Sequence, residues 1–241
     1  MSMLEVKAIK TRIYRQQEDF FEFLATHLSG SIEDGCIVAI TSKVVSIAEG
    51  CVIAKSEIGK RELIEKEADV FLEEVDFGVC LTIKHGILIP SAGIDESNAE
   101  DGVYIVFPKD PYASAKKIHR FLCEKFGLRK LGILITDSHT HALRKGVTGI
   151  ALSHYGLRAT KNLVGQEDLF GRKLKMTSVN VIDSLAVAAV LMMGEANECQ
   201  PLAIVKYDDA EFTTTSDQTE IQIPLKDDLY GPLIRNSIQK K

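Results

Sequence analysis

The sequence has no tryptophan, no Cys-x-x-Cys pair, no low-complexity stretch and no Pro/Ser-rich linker. Missing tryptophan says nothing about function; the other absences each exclude something. The longest mostly apolar stretch, 179–193, is broken by Asn180, Asp183 and Ser184. It also falls short of the roughly 20 residues that a spanning helix needs, so no membrane partner is expected. Residues 1–11 contain Glu5 and alternate as a strand does, unlike a signal peptide. The five cysteines (Cys36, Cys51, Cys80, Cys123 and Cys199) are odd in number and scattered. They read as reduced thiols of a cytoplasmic protein, not a disulfide frame or a zinc site. No basic run is present, and 34 acidic against 29 basic residues give a net charge of −5. Nucleic acid held by bulk electrostatics is therefore not a partner. The Gly-x-x-x-x-Gly-Lys-[Ser/Thr] loop, the Gly-x-Gly-x-x-Gly fingerprint, the Gly-x-Ser-x-Gly elbow and the His-Glu-x-x-His helix are all missing. Any nucleotide chemistry must use a less familiar site.

What remains is a chain of 241 residues, 45% hydrophobic, enough for one large or two small domains with a sizeable core. Short strands alternate with amphipathic helices, which predicts a mixed α and β fold. The runs 35–41, 131–136 and 202–207 are compact and apolar and predict buried strands. The first two end in Thr41-Ser42-Lys43 and Thr136-Asp137-Ser138, where α/β proteins commonly place binding groups. Asp110-Pro111 and Gly127 bracket a helix whose apolar residues Ala115, Ile118, Leu122 and Phe126 recur at helical spacing. A second helix is predicted from about Ser178 to Met193, stopped by Gly194 and apolar nearly all round, so it should lie inside. Segments 81–84 and 87–89 flank His85-Gly86 as a hairpin with a two-residue turn. Residues 221–225 read as one more strand in a polar tail, and 236–241 as a frayed end.

Four places carry chemistry. Asp95 and Asn98 sit three apart beyond the strand-like 87–90 and Gly93. A carboxylate and an amide so placed suit a divalent cation with a sugar or phosphate oxygen, although spacing alone favours an Asx-capped turn. Asp137 and Ser138 offer hard oxygen ligands, whereas His139 and His141 alternate and suggest zinc without a nearby third ligand. Arg144-Lys145-Gly146 and Gly171-Arg172-Lys173 suit phosphates or carboxylates, though solvated loop charge explains them as well. Asp183, in an apolar helix, must cap donors, pair with a cation or face a site, because an uncompensated carboxylate there is costly.

Five blocks together resemble one family. They are 41–50 (Thr-Ser-Lys-Val-Val-Ser-Ile-Ala-Glu-Gly), 91–98 (Ser-Ala-Gly-Ile-Asp-Glu-Ser-Asn), 136–138 (Thr-Asp-Ser), 168–174 (Asp-Leu-Phe-Gly-Arg-Lys-Leu), and the helix from Asp183-Ser184-Leu185-Ala186 to Met193-Gly194-Glu195. In order and spacing the chain is similar to the coenzyme F420:L-glutamate ligases, and most of all to their relatives assigned to folate metabolism. The resemblance implies an α+β fold of two intertwined subdomains over residues 5–207, a polar C-terminal extension over 208–241, and a homodimer. It implies a γ-glutamyl ligase, driven by GTP or ATP with magnesium or manganese, sometimes with potassium. Such an enzyme joins the amino group of L-glutamate to a carboxylate of a folate-, pterin- or deazaflavin-type acceptor.

By the same resemblance Asp95 and Asp137 are the catalytic residues and hold one metal, while Ser138 and Glu195 hold a second. Ser42, Lys43, Asn98 and the stretch Met193, Gly194, Glu195, Ala196, Asn197, Glu198, Cys199 and Gln200 would contact the nucleotide. The loop near Lys10–Arg12 is a weaker match, and Arg144 and Arg172 are charge-based candidates for holding an acidic substrate. Two departures stand out. F420 ligases typically continue Thr-Phe-Gly-Arg-Pro after the strand-end aspartate, where this chain has Ser138-His139-Thr140-His141. Ile47 replaces a lysine that contacts nucleotide, which opens the choice between GTP and ATP. A nucleotide- or metabolite-binding protein without ligase activity is the alternative.

Overall fold

Three apolar runs form the centre of the molecule, described here over residues 2–238 of a computed structural model. In chain order, β1 (Leu4–Ile9), α1 (Phe20–Leu28), β2 (Cys36–Thr41) and α2 (Ser42–Ala48) come first. An excursion follows, with β3 (Val52–Ala54), α3 (Lys60–Glu67), β4 (Val70–Val75), β5 (Val79–Lys84), β6 (Ile87–Pro90) and β7 (Val103–Ile105). The chain returns through α4 (Pro111–Phe126), β8 (Leu131–Thr140) and β9 (Val147–Tyr155). Then come β10 (Thr160–Asn162), β11 (Ser178–Asn180), α5 (Val181–Met193), β12 (Leu202–Tyr207) and α6 (Gly231–Ile238). Helices and mixed sheets in this arrangement make an α+β fold.

The main sheet has the order β1-β12-β2-β8-β9, with β2 and β8 parallel and the other neighbours antiparallel. β2 is buried along its length because both faces are covered. Val38, Ile40, Ile133 and Ile135 pack on one side with Phe23, Leu24 and Leu28 of α1 and Ile118 and Leu122 of α4. Ile37, Ala39 and Leu134 pack on the other with Ile182, Leu185, Ala186 and Ala189 of α5. The period of two in these strands sorts the residues between the two layers. The excursion has its own small core of Cys51, Leu63, Ile64, Cys80, Ile94, Tyr104 and Val106. It contains a three-stranded sheet β4-β5-β6 and the pair β3-β7.

Local signals held where the chemistry was local. Asp110 accepts from the Ala113 amide at 2.8 Å, Pro111 opens α4 and Gly127 closes it in the left-handed region. His85 and Gly86 both have positive φ, 52° and 74°, as a two-residue hairpin turn requires. All five cysteines are free thiols.

Five expectations are corrected. The second helix starts at Val181, because Ser178–Asn180 pairs with β10 and the Asn180 side chain caps α5 by accepting from the Asp183 amide. That helix is not enclosed all round: Val187, Leu191 and Met192 are exposed. β8 continues past Thr136 to Thr140, so Asp137, Ser138 and His139 lie within a strand. β9 accommodates this with an extra residue, Leu152, between Ala151 opposite Thr136 and Ser153 opposite Ile135. Residues 221–225 form no strand; Gln222 instead donates to the His85 carbonyl at 2.8 Å, and turns start at Pro224. Residues 236–238 belong to α6, and 239–241 lie outside the described residues.

The polar tail acts as a strap. Leu157 bridges Phe212, Arg158 donates its amide to Glu211, and Glu220 accepts from the Ala159 amide at 2.9 Å. Beside it lies His154, fully buried, with neither ring nitrogen bonded among the described residues. The Tyr112 ring packs edge-on against it at 5.6 Å, and burial pushes the Tyr112 hydroxyl up to about 12. Burial also holds the His154 imidazole below its ordinary value, against the pull of Glu220 and Asp217. The neutral ring thus contributes stability that is complete above the unfolded value of about 6.5 and is lost as pH falls through and below it. Thermal unfolding between pH 7 and pH 5 should therefore show a steeper fall in Tm for the native protein than for His154→Leu. Parallel pH profiles for the two would refute this.

Candidate active site

Parallel pairing of β2 with β8 sets Thr41 opposite Thr136, so the residues just beyond emerge at the same end of the sheet. Ser42 and Lys43 come from the first turn of α2, and Asp137 and Ser138 from the extension of β8. Ser42 Oγ donates to Asp137 Oδ1 at 3.0 Å. Asp95 arrives from the excursion, fixed by two backbone hydrogen bonds of 2.9 Å with Ile105. Its Oδ1 accepts from the Ser97 amide at 2.6 Å, an Asx turn, and its Oδ2 pairs with Lys43 Nζ at 2.7 Å. Lys43 Nζ also donates to the Ser97 carbonyl at 2.6 Å and to Ser97 Oγ at 3.2 Å.

The opposite wall is the end of α5 and the segment after it. Ser138 Oγ donates to Glu195, 2.9 and 2.7 Å from its two carboxylate oxygens. Gly194 has φ of 84°, and a Cβ there would lie 2.4 Å from the Glu198 carboxyl carbon. Glu198 in turn accepts from the Ala196 amide at 2.8 Å. Backbone bonds from Thr11 to the Cys199 carbonyl and from Thr41 to the Pro201 carbonyl pin the segment. Asn98, at φ of 50°, donates from Nδ2 to the Ala196 carbonyl at 2.9 Å and so spans the two walls.

These groups enclose a cleft of about 560 Å³, within the range of small-molecule sites. Lys43, Asp95, Asn98, Asp137, Ser138, Met193, Gly194, Glu195, Ala196, Asn197, Glu198, Cys199 and Gln200 all line it. Ser42 is buried and reaches it through its bond to Asp137. Arg144 and Arg172 are not among the lining residues. Arg144 is exposed in the loop after β8, and Arg172 Nε pairs with Asp168 Oδ2 at 2.9 Å. Asp183 has the structural role: its Oδ1 accepts from the Ala151 amide at 2.9 Å, tying α5 to β9.

The segment 11–16 lines the cleft as well, and only its beginning was expected. Arg15 faces Glu100 at 3.7 Å. No periodic signal marks these residues; two arginines three apart after the first strand were the only hint.

The electrostatics divide the two aspartates. Burial of the Asp137 carboxyl, together with Asp95 nearby, pushes its pKa up to about 7 against the Ser42 hydrogen bond. Burial works the same way on Asp95, but the Lys43 and Ser97 bonds outweigh it and hold that carboxyl below the ordinary range. Among the described residues no three His, Cys, Asp or Glu side chains are set to hold a metal. The zinc reading of His139 and His141 gains no third ligand among the described residues, and their rings lie 5.0 Å apart with His141 Nε2 bonded to Thr148 Oγ1 at 2.8 Å. Asp95 with Asp137, and Ser138 with Glu195, are hard oxygen pairs of the kind that suit magnesium or manganese. A crowded carboxylate pair is also a setting that a divalent cation relieves.

The model of the F420-0:Gamma-glutamyl ligase family matches residues 8–207. The chain is 36% identical to the coenzyme F420:L-glutamate ligase of Methanopyrus kandleri over 81% of this chain and 83% of that protein. It is 34% identical to the enzyme of that name from Methanocaldococcus jannaschii over 94% and 96%. For the one from Methanothermobacter thermautotrophicus the figures are 37%, 72% and 75%. With the family model spanning most of its length and two of these relatives matched over four-fifths or more of both chains, the chain belongs to the F420-0:gamma-glutamyl ligase family.

Proposed function

We propose that this chain is a cytoplasmic γ-glutamyl ligase that uses GTP or ATP with magnesium or manganese, and potassium as an optional further ion. Its acceptor is a carboxylate on a folate-, pterin- or deazaflavin-type molecule. The observation that carries the reading is the meeting of Asp95, Asp137, Ser138, Glu195 and Lys43 in one cleft from four separate parts of the chain.

The reaction needs a poor electrophile to be activated. The acceptor carboxylate attacks the γ-phosphorus, the bond to the β-phosphate oxygen breaks, and the nucleoside diphosphate leaves. The amine of L-glutamate then attacks the carbonyl carbon of the acyl phosphate, phosphate departs, and the nitrogen loses a proton. A divalent metal, when bound, neutralises the triphosphate and the charge developing on it. Asp95 and Asp137 would hold one such ion, and Ser138 and Glu195 a second. Lys43, Asn98 and the 194–200 segment would position the nucleotide along the cleft. Ser42 keeps the Asp137 carboxylate oriented through its 3.0 Å bond.

A homodimer accords with the surface. Val187, Leu191 and Met192 of α5 are exposed, as are Leu169, Phe170 and Met176 of the segment between β10 and β11. Isolated apolar side chains are ordinary on a surface, but such groups on two elements suit a partner copy. The second reading, a nucleotide- or metabolite-binding protein on the ligase scaffold, draws on Ile47, which lines the cleft where F420 ligases were expected to carry a lysine.

Three measurements test this. Asp137→Asn should lower ligation at least about 100-fold, the scale of losing one charge-stabilising group, with the unfolding temperature unreduced. Full activity in that variant would remove Asp137 from the metal site. Nucleotide at 100 times its Kd contributes about 2.7 kcal/mol, and each kcal/mol is worth roughly 2–4 °C at this size. Thermal unfolding with GTP or ATP should therefore shift upward by about 5 °C or more only when Mn²⁺ or Mg²⁺ is present. Binding without turnover over a broad panel of acceptors would instead support the second reading. Light scattering should give twice the 26.6 kDa chain mass, and a monomer would contradict the dimer.

A further inference from the structure

We propose that Lys43 is an exchange cation: its ammonium and a divalent ion compete for Asp95, so that metal binding releases Lys43 to the nucleotide phosphates. This rests on the ligase reading above and adds to it a coupling between metal and nucleotide binding.

The ammonium group has three hydrogens to donate, and all three are committed. They go to Asp95 Oδ2 at 2.7 Å, the Ser97 carbonyl at 2.6 Å and Ser97 Oγ at 3.2 Å. While it is held this way Lys43 has no donor left for a phosphate oxygen, although it lines the cleft. Asp95 is equally committed, with Oδ1 on the Ser97 amide and Oδ2 on Lys43. A divalent ion on Oδ2 would stand against the ammonium at close range, and two like charges on one oxygen repel strongly.

Lys43 can yield because its charge sits on a flexible four-carbon stem. Asp95 is held more firmly, with its backbone bonded at both N–H and C=O to Ile105 and its Oδ1 on the Ser97 amide. The neighbouring cations serve another carboxylate: Lys55 and Lys60 each bond to Glu96 at 2.5 Å. Lys43 is thus the cation that Asp95 must give up. The two ligands then help each other in, because a metal on Asp95 frees the lysine and a phosphate that draws the lysine away frees Asp95. Such coupling is reciprocal by linkage.

The test is Mn²⁺ binding to the full-length protein, followed by the paramagnetic resonance signal of the free ion, alone and with GTP or ATP. Lys43→Met should bind Mn²⁺ alone about five-fold more tightly than the native protein, the worth of one partly exposed ion pair. Lys43→Gln should give the same ordering, so that a packing fault in one variant does not decide the outcome. Lys55→Met, which removes a nearby charge not bonded to Asp95, should stay within about two-fold of native, since that charge is screened. Nucleotide should tighten Mn²⁺ binding less in the Lys43 variants than in the native protein. Unchanged Mn²⁺ affinity in both Lys43 variants, or an equal gain in Lys55→Met, would overturn the exchange while leaving the ligase reading intact. No Mn²⁺ binding to the native protein with either nucleotide would overturn both.

Discussion

The parallel pairing of β2 with β8 is the constraint on which the site depends. Two strands running the same way bring their carboxyl ends together, and here those ends are Thr41 and Thr136 in register. The residues that follow diverge, one chain turning into α2 and the other continuing as β8. Ser42 and Asp137 nevertheless remain within hydrogen-bond reach, so the floor of the cleft is fixed by backbone pairing deep in the sheet. Both strands are sealed between two apolar layers, which makes a slip in register expensive: one residue would turn every core side chain to the wrong layer.

The walls depend on close backbone approach. Gly149 on β9 has no side chain because a Cβ would lie 2.3 Å from the Ala186 carbonyl oxygen of α5. Asp183 adds a hydrogen bond from the same helix to Ala151. Together these hold α5 against the sheet and deliver Met193 and Glu195 to the cleft. On the far side, Gly93 at φ of 70° lies where a Cβ would collide with the Phe107 ring. That turn leads the excursion from β6 to Asp95. The cleft thus lies between elements that are separately anchored, and Asn98 and Lys43 reach across it.

The strap over residues 208–222 shows how a polar segment gains a fixed path without a core of its own. Glu220 and Gln222 bond to backbone groups at Ala159 and His85, far apart in the sequence. His154 is enclosed next to this strap with neither ring nitrogen bonded among the described residues.

The chain by itself determined the strands 35–41, 131–136 and 202–207, the helix bounded by Asp110-Pro111 and Gly127, and the turn at His85-Gly86. Each depends on a period or a cap written within a few residues. It also contained the family pattern and, through it, the residues that line the cleft. Spacing alone favoured an Asx turn at Asp95 over a cation ligand, and the turn is formed: one carboxylate oxygen closes it while the other takes Lys43. Only tertiary structure decided that Ser178–Asn180 is a strand, since pairing with β10 outweighs helix periodicity there. It alone placed Arg144 and Arg172 away from the cleft and brought residues 13–16 into it beyond the expected loop near Lys10–Arg12. It alone paired Lys43 with Asp95 across 52 residues of chain. Such contacts follow from how separate elements dock, and no local pattern of side chains encodes where two distant segments will meet.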